Sequence, residues 1–363
     1  MLQNPFTTTS TVKKLASWVV HVYVSISLHL FPFHSVSGSG VWNWWAETFL
    51  PLMMAAFNSS NFRPFLLTGF LGLESAHHWI STLFFMFYLI AIMGNSTILV
   101  VIKMERSLHQ PMHLFLSLLA ISDLGLCTTT LPTLLKLSWL DDREVGFDAC
   151  LVQMFFIHVF SLIESGILLT MAFNRFIAIS RPLRYRAILT QSTIAKIGIG
   201  IALRAVAVIL PGPILIKRLK FCKANVLSHA YCLHPDIIKL ACSDHRISSI
   251  YGLIVVLITF GVDSTLILLS YLKILTTVFK LASAQQRRRA LDTCVSHILA
   301  VLLLYVPMLG VSIIHRFAKR IPPVIHTIMG YVYLLVPPVL NPIIYCIKTR
   351  EIRIHLLKLF SRK

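Results

Sequence analysis

Charge is what this sequence has least of. Only 13% of its 363 residues are Asp, Glu, Lys or Arg, against 56% hydrophobic, and the mean hydropathy is +0.77. A water-soluble domain carries about a quarter charged residues, so a soluble globular fold is excluded. Period-two alternation of apolar and polar residues is missing from the long apolar runs, which excludes a membrane β-barrel. No nucleophile–base constellation stands out and no His-Glu-x-x-His is present, so an enzyme has no motif to rest on. Neither half of the chain echoes the other, which removes the internal repeat common in secondary transporters. Acidic residues are the scarcest charged class, 14 against 33 basic, for a net charge of +19. The basic residues are scattered through connecting segments, which argues against a nucleic-acid surface.

What the chain has in quantity is apolar sequence in runs. Seven of them, at roughly 79–102, 112–135, 151–174, 194–216, 249–272, 293–315 and 324–347, reach the ~20 residues that a helix needs to cross hydrocarbon. Without water to bond backbone amides, the helix is the conformation left to them. The predicted fold is all-α, a bundle of seven transmembrane helices over 79–347. Lys and Arg favour the first, third and fifth loops and the tail, including Arg287-Arg288-Arg289 and Lys348, Arg350 and Arg353. That bias puts these segments, with the basic tail 348–363, in the cytoplasm and against anionic lipid. Residues 54–78 are then an extracellular amino-terminal segment.

Residues 1–53 stand apart. Lys13 and Lys14 precede an apolar stretch over 15–33, followed by Ser35-Val36-Ser37-Gly38-Ser39-Gly40. This layout fits a cleaved signal peptide, an uncleaved membrane-associated segment, or an upstream extension outside the fold. Asn58-Ser59-Ser60 is a glycosylation sequon on the extracellular side. Asn95-Ser96-Thr97 also matches but lies inside the first span, where Asn95 reads as a packing residue.

Seven cysteines divide by position. Cys150 opens the third span, and Cys222, Cys232 and Cys242 lie in the long loop before the fifth. On the oxidising side these four admit two disulfides in three connectivities. Even spacing about Cys232 favours Cys222 with Cys242 and Cys232 with Cys150. Metal binding by His229, Cys232 and His234 is the competing use. Cys127, Cys294 and Cys346 lie within or below the spans and should remain reduced.

The order of short motifs is specific. Leu108-His109-Gln110-Pro111-Met112-His113 enters the second span, and Met171-Ala172-Phe173-Asn174-Arg175-Phe176-Ile177-Ala178-Ile179 leaves the third. Ser270-Tyr271 ends the fifth, Arg289-Ala290-Leu291-Asp292-Thr293-Cys294-Val295-Ser296-His297 begins the sixth, and Pro338-Val339-Leu340-Asn341-Pro342-Ile343-Ile344-Tyr345 closes the seventh. Together they resemble the odorant receptors, a branch of the rhodopsin-like G-protein-coupled receptors, over about residues 57–358. The loop His229-Ala230-Tyr231-Cys232-Leu233-His234-Pro235-Asp236, running on to Cys242, is similar to the class I, fish-like branch.

The resemblance implies a small-molecule odorant as ligand, a stimulatory G protein as partner, cyclic AMP as output, and the cilia of olfactory neurons as location. It implies a Cys150–Cys232 bridge. It also implies a switch built from Asn174, Arg175, Phe176, Tyr271, His297, Asn341, Pro342 and Tyr345, with Arg175 locked against the sixth span at rest. The family has Asp-Arg-Tyr where this chain has Asn174-Arg175-Phe176, and Pro-Met-Tyr where it has Pro111-Met112-His113. Loss of that acidic neighbour predicts raised basal signalling or weaker folding. A receptor-like protein that no longer signals is the runner-up reading, ahead of a transporter.

Two carboxylates inside spans, Asp123 and Glu164, demand a partner. They are predicted to meet in the core and hold a sodium ion through hard oxygen ligands, or to share a proton. The ligand pocket is predicted at the extracellular ends of spans three, five, six and seven. Its lining is His158, Phe155 and Leu162, with Tyr305, Leu309, Ser312 and Arg316. Tyr305, Ser312 and Arg316 recur at helical spacing. Arg316 with His158 in an apolar cavity favours an acidic head on an aliphatic body, unless Arg316 pairs with Asp236 or Asp244 above it.

Overall fold

A computed structural model describes residues 64–68, 77–140, 142–180, 185–222, 225–279, 283–317, 323–349 and 351–355. The amino-terminal region 1–53 and the sequon at Asn58 lie outside the described residues. Among the described residues, seven helices are long and apolar enough to cross a membrane. They are α1 (His77–Met104), α2 (Pro111–Trp139), α3 (Phe147–Ser180), α4 (Gln191–Lys217), α5 (Arg246–Phe279), α6 (Ala284–Phe317) and α7 (Pro323–Lys348).

Most helices outrun the apolar spans read from the sequence, because hydrogen bonding continues after hydropathy stops. α6 begins at Ala284, so Gln285, Gln286 and Arg288 are exposed on a stalk before the apolar run. Starts follow local chemistry. Pro111 opens α2, where a missing N–H costs nothing. Thr190 caps α4 by accepting from the Thr193 amide at 3.2 Å.

The bundle is inverted relative to a soluble protein. Large apolar side chains cover the outside, as on α5 with Ile247, Ile250, Ile254, Leu257 and Ile258. Polar side chains lie within: Asn95, Asp123, Glu164, Asp263, His297 and Asn341 are all buried. α3 is the central element and packs against α2, α4, α5 and α6.

Proline chemistry fixes how α7 meets α1. Pro342 has no N–H, so the carbonyl of Pro338 loses its helical donor. Asn95 replaces it, donating from Nδ2 to the Pro338 oxygen at 2.9 Å. Beside it, a Cβ on Gly94 would lie 3.0 Å from the Pro342 ring, tight enough that a larger residue would push the two helices apart by a few tenths of an ångström. In α5, a π-helical turn at Val256–Phe260 shifts the helical phase just before Asp263.

The extracellular side is stitched together by a three-stranded sheet. β1 (Phe65–Leu67) runs antiparallel to β2 (Glu144–Val145) and parallel to β3 (Val226–Leu227). Phe65 is buried against Phe147 and Phe221. Cys150 is bonded to Cys232, with Cα atoms 5.4 Å apart, and Cys222 to Cys242, with Cα atoms 5.9 Å apart. Cys232 is therefore unavailable to a metal. Cys127, Cys294 and Cys346 form no disulfide.

Candidate functional site

Beneath the disulfide, α3 and α6 face each other. Phe155 and Leu162 are buried in the wall, and His158 lies between them in sequence. The Nδ1 of His158 contacts the Met154 carbonyl at 2.7 Å. On α6 the buried stripe runs through Leu304, Tyr305, Met308 and Val311, with Ser312 half-buried beside it. Leu309 is not part of this face. It joins Leu302, Val306 and Ile313 on an exposed stripe that points to lipid. Tyr305 sits near one edge of the inner face, so four residues on, the helix has carried the side chain across that edge; Met308 occupies the inner position instead. The side chain of Arg316 lies outside the described residues.

Tyr305 is where the pocket meets the core. Its ring packs edge-on against Phe260, and its hydroxyl lies 2.8 Å from Ser165 Oγ. Ser165 gives its one proton to Asp263 Oδ2 at 2.8 Å, so Tyr305 is the donor in the contact they share. Asp263 is also held by both terminal nitrogens of Arg204, at 3.0 and 2.6 Å, a two-pronged ion pair between α4 and α5. Four helices are thus joined through one carboxylate. Neither Arg204 nor Asp263 belongs to a motif that marks it in the sequence. Their expense in hydrocarbon was the available clue, since a cation and an anion in neighbouring spans satisfy each other.

Beside that network, Glu164 directly precedes Ser165 on α3 and lies with Asp123 of α2 in one buried pair. Asn341 donates from Nδ2 toward Asp123 Oδ2 at 3.2 Å. Glu164 Oε1 and Asn341 Oδ1 are buried without a hydrogen-bond partner. Two carboxylates and an amide oxygen make an all-oxygen donor set, of the kind that suits a hard cation such as sodium.

At the inner end of α3, Arg175 is half-buried and its Nε has no hydrogen-bond partner. His113, Tyr271, His297 and Tyr345 are its electrostatic neighbours. Among the described residues it makes no ion pair with α6, in contrast to the resting lock that the family resemblance implies. Asn174 supplies no charge and faces α2, donating to Met112 Sδ at 3.3 Å. Phe176 packs beside Ile274, Val278 and Cys294. His113 is 3.7 Å from Glu351 in the short helix that follows α7.

His297 is fully buried. Its Nε2 lies 2.9 Å from the Leu168 carbonyl, which accepts only, so that nitrogen carries the proton. The Nδ1 is then the acceptor, and Tyr271 donates to it at 2.7 Å. One imidazole therefore latches α6 to both α3 and α5. Tyr345 is buried below Asn341 and Pro342, its hydroxyl without a hydrogen-bond partner.

A seven-helix bundle with a polar core, a tethered extracellular loop and a buried cationic motif at its inner end defines a multi-pass membrane receptor. The family model described as Olfactory receptor matches residues 84–363. Human Olfactory receptor 51L1 is 53% identical over 304 residues, 84% of this chain and 96% of the relative. Olfactory receptor 51G1, also human, is 54% identical over 297 residues, 82% of this chain and 92% of the relative. The chain belongs to the olfactory receptor family of G-protein-coupled receptors, and is a receptor rather than an enzyme.

Proposed function

We propose that this receptor responds to small amphipathic acids and signals through a stimulatory G protein that raises cyclic AMP. The observation that carries the reading is the path inward from Tyr305. A ligand resting on that ring touches a hydroxyl committed to Ser165, and through it to the Asp263–Arg204 pair. A shift there is felt by α3, α4, α5 and α6 together. The ligand moves the equilibrium only by binding one arrangement better than the other. Arg316, one turn beyond Ser312, supplies the charge that an acid head requires.

The test is a cyclic-AMP reporter in cells expressing the full chain, challenged with straight-chain acids, alcohols and aldehydes. Acids should be the most potent, and Arg316→Ala should weaken acids at least ~10-fold more than alcohols, the loss of one charge-assisted contact. Arg175→Ala at equal surface level should abolish every response. Equal loss for acids and alcohols in Arg316→Ala would remove the acid reading.

Asp123, Glu164 and Asn341 are proposed to hold a sodium ion in the inactive arrangement. Replacing sodium with N-methylglucamine in isolated membranes should then raise agonist affinity. The effect should vanish in Glu164→Gln. An unchanged affinity would assign the pair a shared proton instead.

A further inference from the structure

The hydrogen bond of His158 fixes more than its orientation. A carbonyl oxygen has no proton to give, so the 2.7 Å contact with Met154 requires the hydrogen to sit on Nδ1. The neutral ring must then carry a bare lone pair on Nε2. That nitrogen makes no hydrogen bond among the described residues, and the residue is half-buried on the inner side of the bundle. The neighbouring ionisable groups are already engaged. On α3 itself Glu164 is paired with Asp123. Asp263 of α5 is bonded to Arg204 and Ser165, and Asp236 of the loop above to His229 and the Ser228 amide. Tyr305 of α6 gives its proton to Ser165, and Arg316, further along α6, is a permanent cation.

We propose that His158 makes recognition of acids proton-coupled: the pocket offers a lone pair, so a carboxylate enters only together with one proton. This rests on the acid-binding reading above. Two negative lone pairs facing each other repel, whereas a proton between imidazole and carboxyl turns the contact into a charge-assisted hydrogen bond. Whether that proton arrives on the acid or on the ring, the complex holds one more than free carboxylate plus neutral receptor. Linkage then sets the slope. Above the pH at which the free ring is neutral, each further unit weakens acid binding by up to about tenfold. An alcohol brings its own O–H, donates it to Nε2, and leaves the proton count unchanged. The same pocket should therefore sense acids with a pH dependence and alcohols without one.

The experiment uses membranes carrying the full receptor with its G protein, and nucleotide exchange as the readout. Pentanoic, hexanoic and heptanoic acids are compared with their primary alcohols between about pH 6.5 and 8.5, where the acids are ionised throughout. The ratio of acid to alcohol half-maximal concentrations cancels any general effect of pH on signalling. It should rise up to about tenfold per pH unit in the wild type. In His158→Gln the amide N–H can donate to a carboxylate directly, so the ratio should become flat. A flat ratio in the wild type, with acid potency still dependent on Arg316 and His158, would overturn proton coupling while leaving the acid pocket intact. Acid potency indifferent to both residues would overturn the acid pocket itself.

Discussion

At the scale of residues, the few charges that the chain places inside the bundle must each be answered. Arg204 and Asp263 answer each other, and Ser165 and Tyr305 use the remaining capacity of the carboxylate. Removing Arg204 leaves the buried Asp263 carboxylate alone, at about 3–5 kcal/mol, removing Asp263 strands a guanidinium that is 38% exposed, and removing both leaves neither. Asp263→Asn and Arg204→Gln should each lower the unfolding temperature of purified receptor sharply, and the double mutant should recover much of the loss. Additive losses in that cycle would show that the two side chains act independently. Asp263 was in plain view in the sequence, yet a single Asp in an apolar run has no periodicity to announce its partner. The direction it points depends on the π-helical turn before it, a local change of phase that hydropathy does not encode.

At the scale of elements, the sequence spoke most clearly where a run of similar residues carried the message. Seven apolar stretches became seven helices because each had no alternative in lipid. Strands of two or three residues carry no such signal, and the pairing of Phe65–Leu67 with two loops far along the chain was invisible. Leu309 shows the same limit on a helix: its outward direction follows from where Tyr305 sits within the buried stripe, not from residue type. The join between α1 and α7 depends on Asn95 repairing the carbonyl that Pro342 leaves unbonded. Asn95→Ala should destabilise the receptor by about 1–3 kcal/mol, the penalty of a stranded buried acceptor. Hydrogen exchange should report the loss as faster exchange of amides near Pro338 in α7. Uniform exchange across all helices would place the effect elsewhere.

At the scale of the whole molecule, two polar layers lie one below the other: the Tyr305 network with the Asp123–Glu164 pair beside it, and the ring of side chains about Arg175. α3 and α6 contribute to both layers, so a movement of α6 against α3 would be felt at the pocket and at the cytoplasmic face alike. His297 is the visible fastening, tied to Leu168 on α3 and to Tyr271 on α5. The motif order announced the family, but the fastening came from tautomer logic that needs coordinates. Asn174, turned toward Met112, leaves Arg175 without an adjacent acid to hold it.

The relative motion of α3 and α6 is the most direct measure of this account. Spin labels at Ser180 and Gln286, near the inner ends of the two helices, report it by pulsed electron resonance on purified receptor in nanodiscs. Agonist with G protein should lengthen the distance by several ångströms, and His297→Ala should shift the unliganded receptor toward the longer distance. An unchanged distance in receptor that still drives nucleotide exchange would contradict the account.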